Sequence, residues 1–423
     1  MSKLRITRAV VPALLLLAGC GDATGPGDSE PITELPRALT VAEQTVISNG
    51  NAFGVQLLRQ TVARDRRPNV VLSPLSASMA LGMLLNGAEE GTFEAMRSTL
   101  GFSGMSRQEI NNAYAGLITL LTELDPDVEF DIANSVWANK DVVFQQAFLD
   151  AVRTAFQARV ESRDFRDPAT LTAINGWVSD NTQGLIDTIL DQLDPELVTL
   201  LINAIYFEGA WTTRFDPAKT RRADFRREDG STVQVDMMNL DEGKLPLGFG
   251  PGYAAVELPY GGQAYSMVVL VSAEPIRSFV DGLDAAGWQA IVDGLSPREV
   301  DLVAIPKFKL AYDAYLNDPL KAMGMEVAFG PGADFSGMIP GGHNLCIDFV
   351  RQKTYIEVDE RGTKAAAVTA VGVRPTSFNG IIADEPFAFA IRERLSGTLV
   401  FVGIVGDPTA PEEDPEPFTS TCR

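Results

Sequence analysis

The residues that could carry catalysis are few in this sequence. It holds one histidine, His343, preceded by Pro340, Gly341 and Gly342. A Ser-His-Asp triad would have to use this histidine, and the sequence identifies no partner for it. The motifs Gly-x-Ser-x-Gly, His-Glu-x-x-His and Gly-x-x-x-x-Gly-Lys are missing, as is a dinucleotide fingerprint. We therefore expect a protein that is not an enzyme and has no metal site and no cofactor, and we interpret His343 as an exposed loop residue.

The segment 360–374 alternates in a way that could serve a different chemistry. From Thr363 to Val373 the odd positions are all uncharged and small or medium in size: Thr363, Ala365, Ala367, Thr369, Val371 and Val373. The charged residues Glu360, Lys364 and Arg374 occupy even positions. Because the side chains of a strand point alternately to two faces, one face of this segment could enter a core while its charges stay on the other. The alternative is an exposed loop whose alternation has arisen by chance.

The bulk composition narrows the possible partners. The chain has 423 residues and a formal net charge of −21. Such an acidic protein repels phosphate backbones, so we expect no nucleic acid partner. Two basic clusters, 64–67 and 221–227, are interpreted as surface arginines in salt bridges. The apolar content of 45% is enough for a packed core.

The first 20 residues have the pattern of a targeting segment. Lys3, Arg5 and Arg8 precede an apolar run over 9–18 that is too short to span a bilayer comfortably. The run ends in Leu-Ala-Gly-Cys at Cys20, which resembles the lipobox of bacterial lipoproteins. We expect 1–19 to be a removed signal peptide and Cys20 to carry a lipid, anchoring the protein on a membrane facing the periplasm or the cell exterior. The alternative is an ordinary secretory signal and a secreted protein.

Two further cysteines, Cys346 and Cys422, lie far apart in the chain. An exported protein meets an oxidising compartment in which they can pair. Spacing alone does not show that they meet, so a Cys346–Cys422 disulfide and two free thiols both stay open.

The two ends of the chain differ in composition from its middle. Residues 21–36 are rich in Gly, Pro, Asp, Ser and Thr, as is typical of a flexible tether. Residues 407–417 are rich in proline and acidic residues. The stretch between them contains no linker and no internal repeat. We therefore expect a lipidated tether over 20–40, a single folded domain over 41–408 and an acidic, Pro-rich tail over 409–423.

The elements that must position the alternating segment are predicted to be mainly helices in the first part of the chain and mainly strands in the later part. Ser73 and Pro74 have the residue types of an N-cap and a first helical position. Apolar spacing predicts helices over 41–62, 75–86, 108–124, 169–182 and 195–200. Alternation and β-rich runs predict strands over 130–138, 199–207, 253–258, 265–271, 299–309, 346–358, 387–392 and 399–405. The predicted fold class is α+β.

A series of motifs in this order resembles the serpin family of serine protease inhibitors. The motifs are 69–76 (NVVLSPLS), 203–211 (NAIYFEGAW) with Phe215, 233–238, 258–260 (LPY), 305–308 (IPKF), 333–338 (ADFSGM), 360–367 (ERGTKAAA), 384–387 (DEPF) and 401–405 (FVGIV). The resemblance covers roughly 41–408. It implies a serpin fold with about nine helices, three β-sheets and an exposed reactive-centre loop.

The resemblance also assigns roles to residues of this chain. The hinge of the reactive loop would be Glu360, Arg361, Gly362, Thr363, Lys364, Ala365, Ala366, Ala367 and Val368. The shutter and breach of the main sheet would include Ser73, Ser76, Asn203, Trp211 and Gln352. Many serpins have a histidine at the position of Gln352, bonded to the asparagine that matches Asn203. Glutamine can also donate and accept, so we expect the bond to persist without pH sensitivity.

The function implied by the resemblance is inhibition as a suicide substrate. The serine of a target protease would attack the reactive bond and form an acyl-enzyme, and the cleaved loop would then insert into the main sheet. Family spacing from Glu360 places the bond between Thr376 and Ser377, which suits elastase-like or subtilisin-like proteases. Cleavage after Arg374 or at Phe378 would instead indicate trypsin-like or chymotrypsin-like targets.

The expected partners are the target serine protease, in a covalent acyl complex, and a membrane through the lipid anchor. The protein is expected to act as a monomer. The second hypothesis is a non-inhibitory serpin that acts as a surface carrier, chaperone or structural protein. Such members typically lose the small residues of the hinge, which this sequence keeps over 362–368.

Overall fold

A computed structural model describes residues 30–241, 243–343, 345–362, 379–411, 415 and 422. Within these ranges the chain forms nine α-helices and sixteen β-strands. The helices are α1 Val41–Val62, α2 Pro74–Leu85, α3 Glu90–Thr99, α4 Arg107–Thr122, α5 Gln146–Phe156, α6 Pro168–Asn181, α7 Ile276–Gly282, α8 Ala285–Asp293 and α9 Asn317–Leu320. None of the helices in the part of the chain that is described is both long and apolar enough to cross a membrane.

The strands follow the helix-rich first third and dominate the rest. They are β1 Val70–Leu72, β2 Val128–Asn139, β3 Arg159–Arg163, β4 Thr199–Gly209, β5 Arg221–Arg226, β6 Thr232–Leu240, β7 Gly243–Gly250, β8 Tyr253–Tyr260, β9 Tyr265–Ser272, β10 Ser296–Val300, β11 Leu302–Pro306, β12 Phe308–Tyr315, β13 Arg351–Val358, β14 Gly380–Ile382, β15 Phe387–Glu393 and β16 Leu399–Val405. The α+β fold class predicted from the sequence is confirmed.

Local capping explains why the predicted helices begin where they do. Thr40 caps α1, and Thr40 and Glu43 form a reciprocal capping box. Ser73 caps α2 by accepting from the N–H of Ser76, and Pro74 takes the first helical position. These signals are local, so they can be read from sequence.

The strands form four hydrogen-bonded sets. One has the order β1-β16-β15-β9-β8-β7-β10 and a second has the order β14-β11-β6-β5. The other two are β3-β2-β4 and β12-β13. Ala210, directly after β4, forms an isolated bridge to Gly362, shortly after β13. We therefore treat these last two sets as halves of one sheet, which makes three sheets, as expected for the fold.

Two apolar clusters pack on opposite faces of the divided sheet. Phe207 and Ile356 belong to the large cluster that also contains α1, α2 and α4. Leu200 and Ala204 belong to a smaller cluster with Trp177 of α6. The odd positions of β4 therefore face the main core, and the even positions face α6.

One predicted helix, over 195–200, is wrong. Asn139 donates its side-chain N–H to the carbonyls of Pro195 and Leu197, which holds the backbone in a non-helical path. Leu200 already pairs with Trp137 as part of β4. The strand partner has overridden the local helical spacing.

The folded part begins before residue 41. The N–H of Ile32 donates to the carbonyl of Gly262 at 2.8 Å. Arg37 forms a bidentate pair with the buried Glu43. The part of the predicted tether that is described thus contacts the domain, while Cys20 lies outside the described residues.

Candidate functional site

The candidate site is the opening in the divided sheet. A cavity of about 770 Å³ lies between β4 and β13. Its walls include both strands, one face of α2 and the segment that follows α6. We call this opening the slot. Backbone groups on the facing edges of two strands need partners, so a slot of this kind is suited to an added strand.

The start of the predicted hinge closes the slot at the end where β4 and β13 both finish. We call this the upper end. The N–H of Trp211 donates to the carbonyl of Arg361 at 2.8 Å. The indole Nε1–H of Trp211 donates to the carbonyl of Asp359 at 2.7 Å, and its ring stacks on Tyr260 at 4.4 Å. Trp211 therefore fixes the chain directly after β13 against the chain directly after β4.

Gly362 is required at this position by its close contacts. Its φ is +143°, and a Cβ atom there would lie 2.0 Å from the carbonyl oxygen of Gly209. Any other residue would force the hinge away from β4. Gly362 pairs with Ala210 on one side and with Asp359 on the other.

Glu360, two residues before Gly362, is buried and contacts Lys307 and Thr220. We call this group of three side chains the latch. The side chain of Glu360 is 1% exposed, and its Oε2 lies 2.7 Å from Lys307 Nζ. The hydroxyl of Thr220 donates to Oε1 at 2.6 Å. Burial alone raises the pKa of Glu360, but the hydrogen bonds from Lys307 and Thr220 outweigh it, so the pKa lies below its ordinary value. The carboxylate is therefore ionised at neutral pH.

The predicted shutter residues meet beside the middle of the slot. Ser73 donates its hydroxyl to the carbonyl of Val400, and the N–H of Ser76 donates back to Ser73. Asn203 donates to the side chain of Asn134 at 2.8 Å. The Oδ1 of Asn203 is buried and has no hydrogen-bond partner among the described residues.

Gln352 bonds a different partner from the one expected. It accepts from the N–H of Ser73 and donates to the carbonyl of Ser73, both at 2.9 Å. The structure shows no bond from Gln352 to Asn203. These two residues stand on opposite walls of the open slot, and Ser73 at the start of α2 offers both a donor and an acceptor.

The loop itself falls outside the described residues. This applies to the hinge residues Thr363, Lys364, Ala365, Ala366, Ala367 and Val368, and to the predicted reactive bond between Thr376 and Ser377. The described chain resumes at Asn379, whose N–H donates to Asp301 at 2.7 Å. Asn379 also donates its side chain to the carbonyl of Glu299. These contacts fix the point where the chain leaves the loop.

Cys346 and Cys422 form a disulfide with Cα atoms 5.7 Å apart. Both residues line the slot. Cys346 precedes β13, so the bond lies toward the end of the slot opposite Gly362. It attaches the tail to the folded domain.

Several residues of the site were not predicted as site residues. Lys307 and Thr220 complete the latch, and Asn134 supports Asn203. Lys307 belongs to the motif 305–308, but no neighbouring residue in the sequence indicates that it contacts Glu360. His343, the sole histidine, is exposed and pairs with Asp334 at 2.8 Å.

Comparison with known proteins identifies the group to which this architecture belongs. A family model described as serpin (serine protease inhibitor) matches residues 48–408. This chain belongs to the serpin family. The family is one of protease inhibitors, which are generally not enzymes.

Individual relatives agree with the family match. Glia-derived nexin of Rattus norvegicus is 32% identical over 375 residues, covering 85% of this serpin and 92% of the relative. Iripin-5 of Ixodes ricinus is 33% identical over 372 residues, covering 84% and 93%. A solved structure of a thermophilic serpin, tengpin, in the native state has a TM-score of 0.77 and 31% identity, covering 90% of this chain and 97% of that one. The predicted serpin fold is thereby confirmed.

Proposed function

We propose that this serpin inhibits serine endopeptidases as a suicide substrate, and that its cleaved loop fills the slot between β4 and β13. The observation that carries the proposal is the position of Gly362. It already pairs with both Ala210 and Asp359, so a strand continued from Gly362 would start at the top of the slot and run antiparallel to both strands.

The register of these two bridges supports insertion of the following residues. If the pairing at each bridge continues residue by residue down the slot, Thr369 comes opposite Asn203 on one wall and opposite Gln352 on the other. The buried Oδ1 of Asn203 would then gain a donor. Asn203 and Gln352 are therefore level with each other across the slot, so one inserted residue would lie between them.

The same register explains the alternation of the loop. The odd positions of the loop come opposite odd residues of β4, such as Phe207, and even residues of β13, such as Ile356. These face the main core. Small uncharged side chains are required there, because a charge buried without a partner would cost several kcal/mol.

The chemistry requires only the protease's own catalytic serine. Its Oγ attacks the carbonyl carbon of Thr376 and forms an ester, the bond to Ser377 breaks, and the amine of Ser377 leaves with a proton. Insertion of the loop then carries the ester away from the protease's original contact surface before water cleaves it.

The reactive bond is proposed to lie between Thr376 and Ser377, with an elastase-like or subtilisin-like target. Cleavage by such a protease should create a new N-terminus at Ser377, which sequencing would reveal. Cleaved protein should also unfold at a clearly higher temperature than intact protein, because an added central strand completes the sheet. A new N-terminus elsewhere refutes the assigned bond, and cleavage without added thermal stability refutes insertion and favours a non-inhibitory serpin.

We further propose export with removal of 1–19 and a lipid on Cys20, which would anchor a monomer at a membrane surface. The small residues before Cys20 support it. Cys20→Ser should move the protein from the membrane fraction to the soluble fraction. Equal membrane association of both forms would contradict lipidation.

A further inference from the structure

Two glutamates face each other across the upper slot at one level. Ala210 and Asp359 both pair with Gly362. Glu208 lies two residues before Ala210, and Glu357 lies two residues before Asp359. Because strand side chains repeat every second residue, Glu208 and Glu357 occupy the same face and the same height on the two walls.

Each glutamate accepts a hydrogen bond from a tyrosine of its own strand. The hydroxyl of Tyr206 donates to Glu208, and the hydroxyl of Tyr355 donates to Glu357 at 2.7 Å. Burial first, and then the neighbouring carboxylate, raise the pKa of Tyr206. Burial also raises the pKa of Tyr355, so both tyrosines stay protonated as donors and hold the two carboxylates in mirrored positions.

The two glutamates differ in their charged neighbours. Glu129 of β2 pairs directly with Glu208 across the strands. The cation described beside Glu357 is Lys309, with its Nζ 3.7 Å from Oε2. Glu208 has no cation in the salt bridges of the described residues, so this level of the slot would accept one positive side chain from an added strand.

We propose that Glu208 and Glu357 form a two-carboxylate acceptor for Lys364, which stabilises the inserted loop in the register that Gly362 sets. Residue 364 lies two positions after Gly362, so the register set by Ala210 and Asp359 brings it between the two glutamates. This inference rests on the proposed insertion, and it adds the residues that hold the inserted strand in that register. A strand displaced by two residues would put Ala366 between the carboxylates and leave Glu208 without a cation.

The charge of Lys364 can be tested by reversal. Lys364→Glu places a third carboxylate between two others and should slow insertion roughly tenfold, given like charges near a protein surface. More protease would then escape by hydrolysis, so the number of inhibitor molecules consumed per protease inactivated should rise. Lys364→Arg, which keeps the charge, should recover most of the trapping. Arg298→Glu on β10 changes the net charge by the same amount and serves as the control.

A second substitution separates charge pairing from general disturbance. Glu208→Lys beside Lys364→Glu restores one opposite pair and should return the consumption per protease toward the wild-type value. High salt should narrow the difference between Lys364→Glu and wild type. Equal behaviour of Lys364→Glu and wild type, or failure of Glu208→Lys to rescue it, overturns the acceptor.

The thermal stability of cleaved protein keeps this test separate from the proposed function. If cleaved wild-type protein gains no stability, the insertion itself is refuted. If cleaved wild-type protein gains stability and cleaved Lys364→Glu gains as much, insertion stands and the acceptor site is refuted. A smaller gain for Lys364→Glu, recovered by Glu208→Lys, supports the site.

Discussion

At the scale of single residues, the hinge depends on one buried ion pair. Glu360 is almost fully buried and bonds both Lys307 and Thr220. A buried cation that loses its counter-charge is costly. The first residue of the hinge is therefore a stabilising contact in the intact protein.

Glu360→Gln should lower the free energy of unfolding by about 1–3 kcal/mol at neutral pH, since Lys307 keeps only a neutral partner. The pKa of Glu360 is lowered in the folded protein, so its stabilisation is fully present above the unfolded value and is lost as pH falls through the folded value. Denaturant unfolding from pH 7 to pH 3 should show the two proteins converging at low pH. A constant difference over that range would contradict an ionised latch.

Gln352 makes a second prediction at this scale. Gln352→Met keeps the size of the side chain but leaves the N–H and carbonyl of Ser73 without their partner, which should cost about 1–3 kcal/mol of stability. Gln352→Glu keeps an acceptor for the N–H of Ser73. Above pH 5 its free energy of unfolding should lie between those of wild type and Gln352→Met. Unfolding by urea measures both, and an unchanged midpoint for Gln352→Met would show that water replaces these bonds.

At the scale of elements, helix ends could be predicted where a side chain caps them. The bounds of α1 match the expected 41–62, and both Thr40 and Ser73 cap as their residue types suggest. Helices α3, α5, α7, α8 and α9 were missed, and among them only α8 has a side-chain cap, in which Asp284 accepts from the N–H of Gly287. The strand predicted over 346–358 begins only at Arg351.

The features of the site also divide into those that can be predicted from local sequence and those that cannot. The alternation of the loop is local and was visible in the sequence. The partners Lys307, Thr220 and Asn134 come from distant parts of the chain, and nothing near them in sequence indicates a shared site. The choice of Ser73 over Asn203 by Gln352 depends on the open slot, which only the assembled sheet defines.

The alternation predicts opposite effects of charge on the two faces of the inserting strand. Thr363→Arg puts a guanidinium on the core-facing side beside Val358, and burying it would cost several kcal/mol. This variant should be cleaved as a substrate without forming a stable complex. Ala366→Arg adds the same charge on the other face, next to the level of Glu208 and Glu357, and serves as the matched variant, which should retain more complex. Stable complex formation by Thr363→Arg would contradict the assigned register.

At the scale of the whole molecule, the disulfide joins segments on both sides of the reactive loop. Cys346 and Cys422 are separated by 76 residues, and the closed loop contains β13 to β16. This long closure restricts the unfolded chain and should contribute up to about 4 kcal/mol. Reduction, or the pair Cys346→Ser and Cys422→Ser, should lower the unfolding temperature. The double variant should be insensitive to reductant, and equal stability of oxidised and reduced protein would contradict this contribution.

The same bond determines what cleavage releases. The predicted bond between Thr376 and Ser377 lies inside the closed loop, so cleaved protein should migrate as one species without reductant and as two fragments with it. Two fragments on a denaturing gel without reductant would show that the disulfide is absent or that cleavage falls outside the loop.

The most direct test of suicide inhibition is the fate of an active protease mixed with the full chain. With elastase or subtilisin, the proposed mechanism predicts a covalent complex that survives boiling in detergent and reductant and accompanies loss of protease activity. The same protease with its serine blocked should give no complex. Complete cleavage of the loop, with the protease fully active and no stable complex, would contradict inhibition by this serpin.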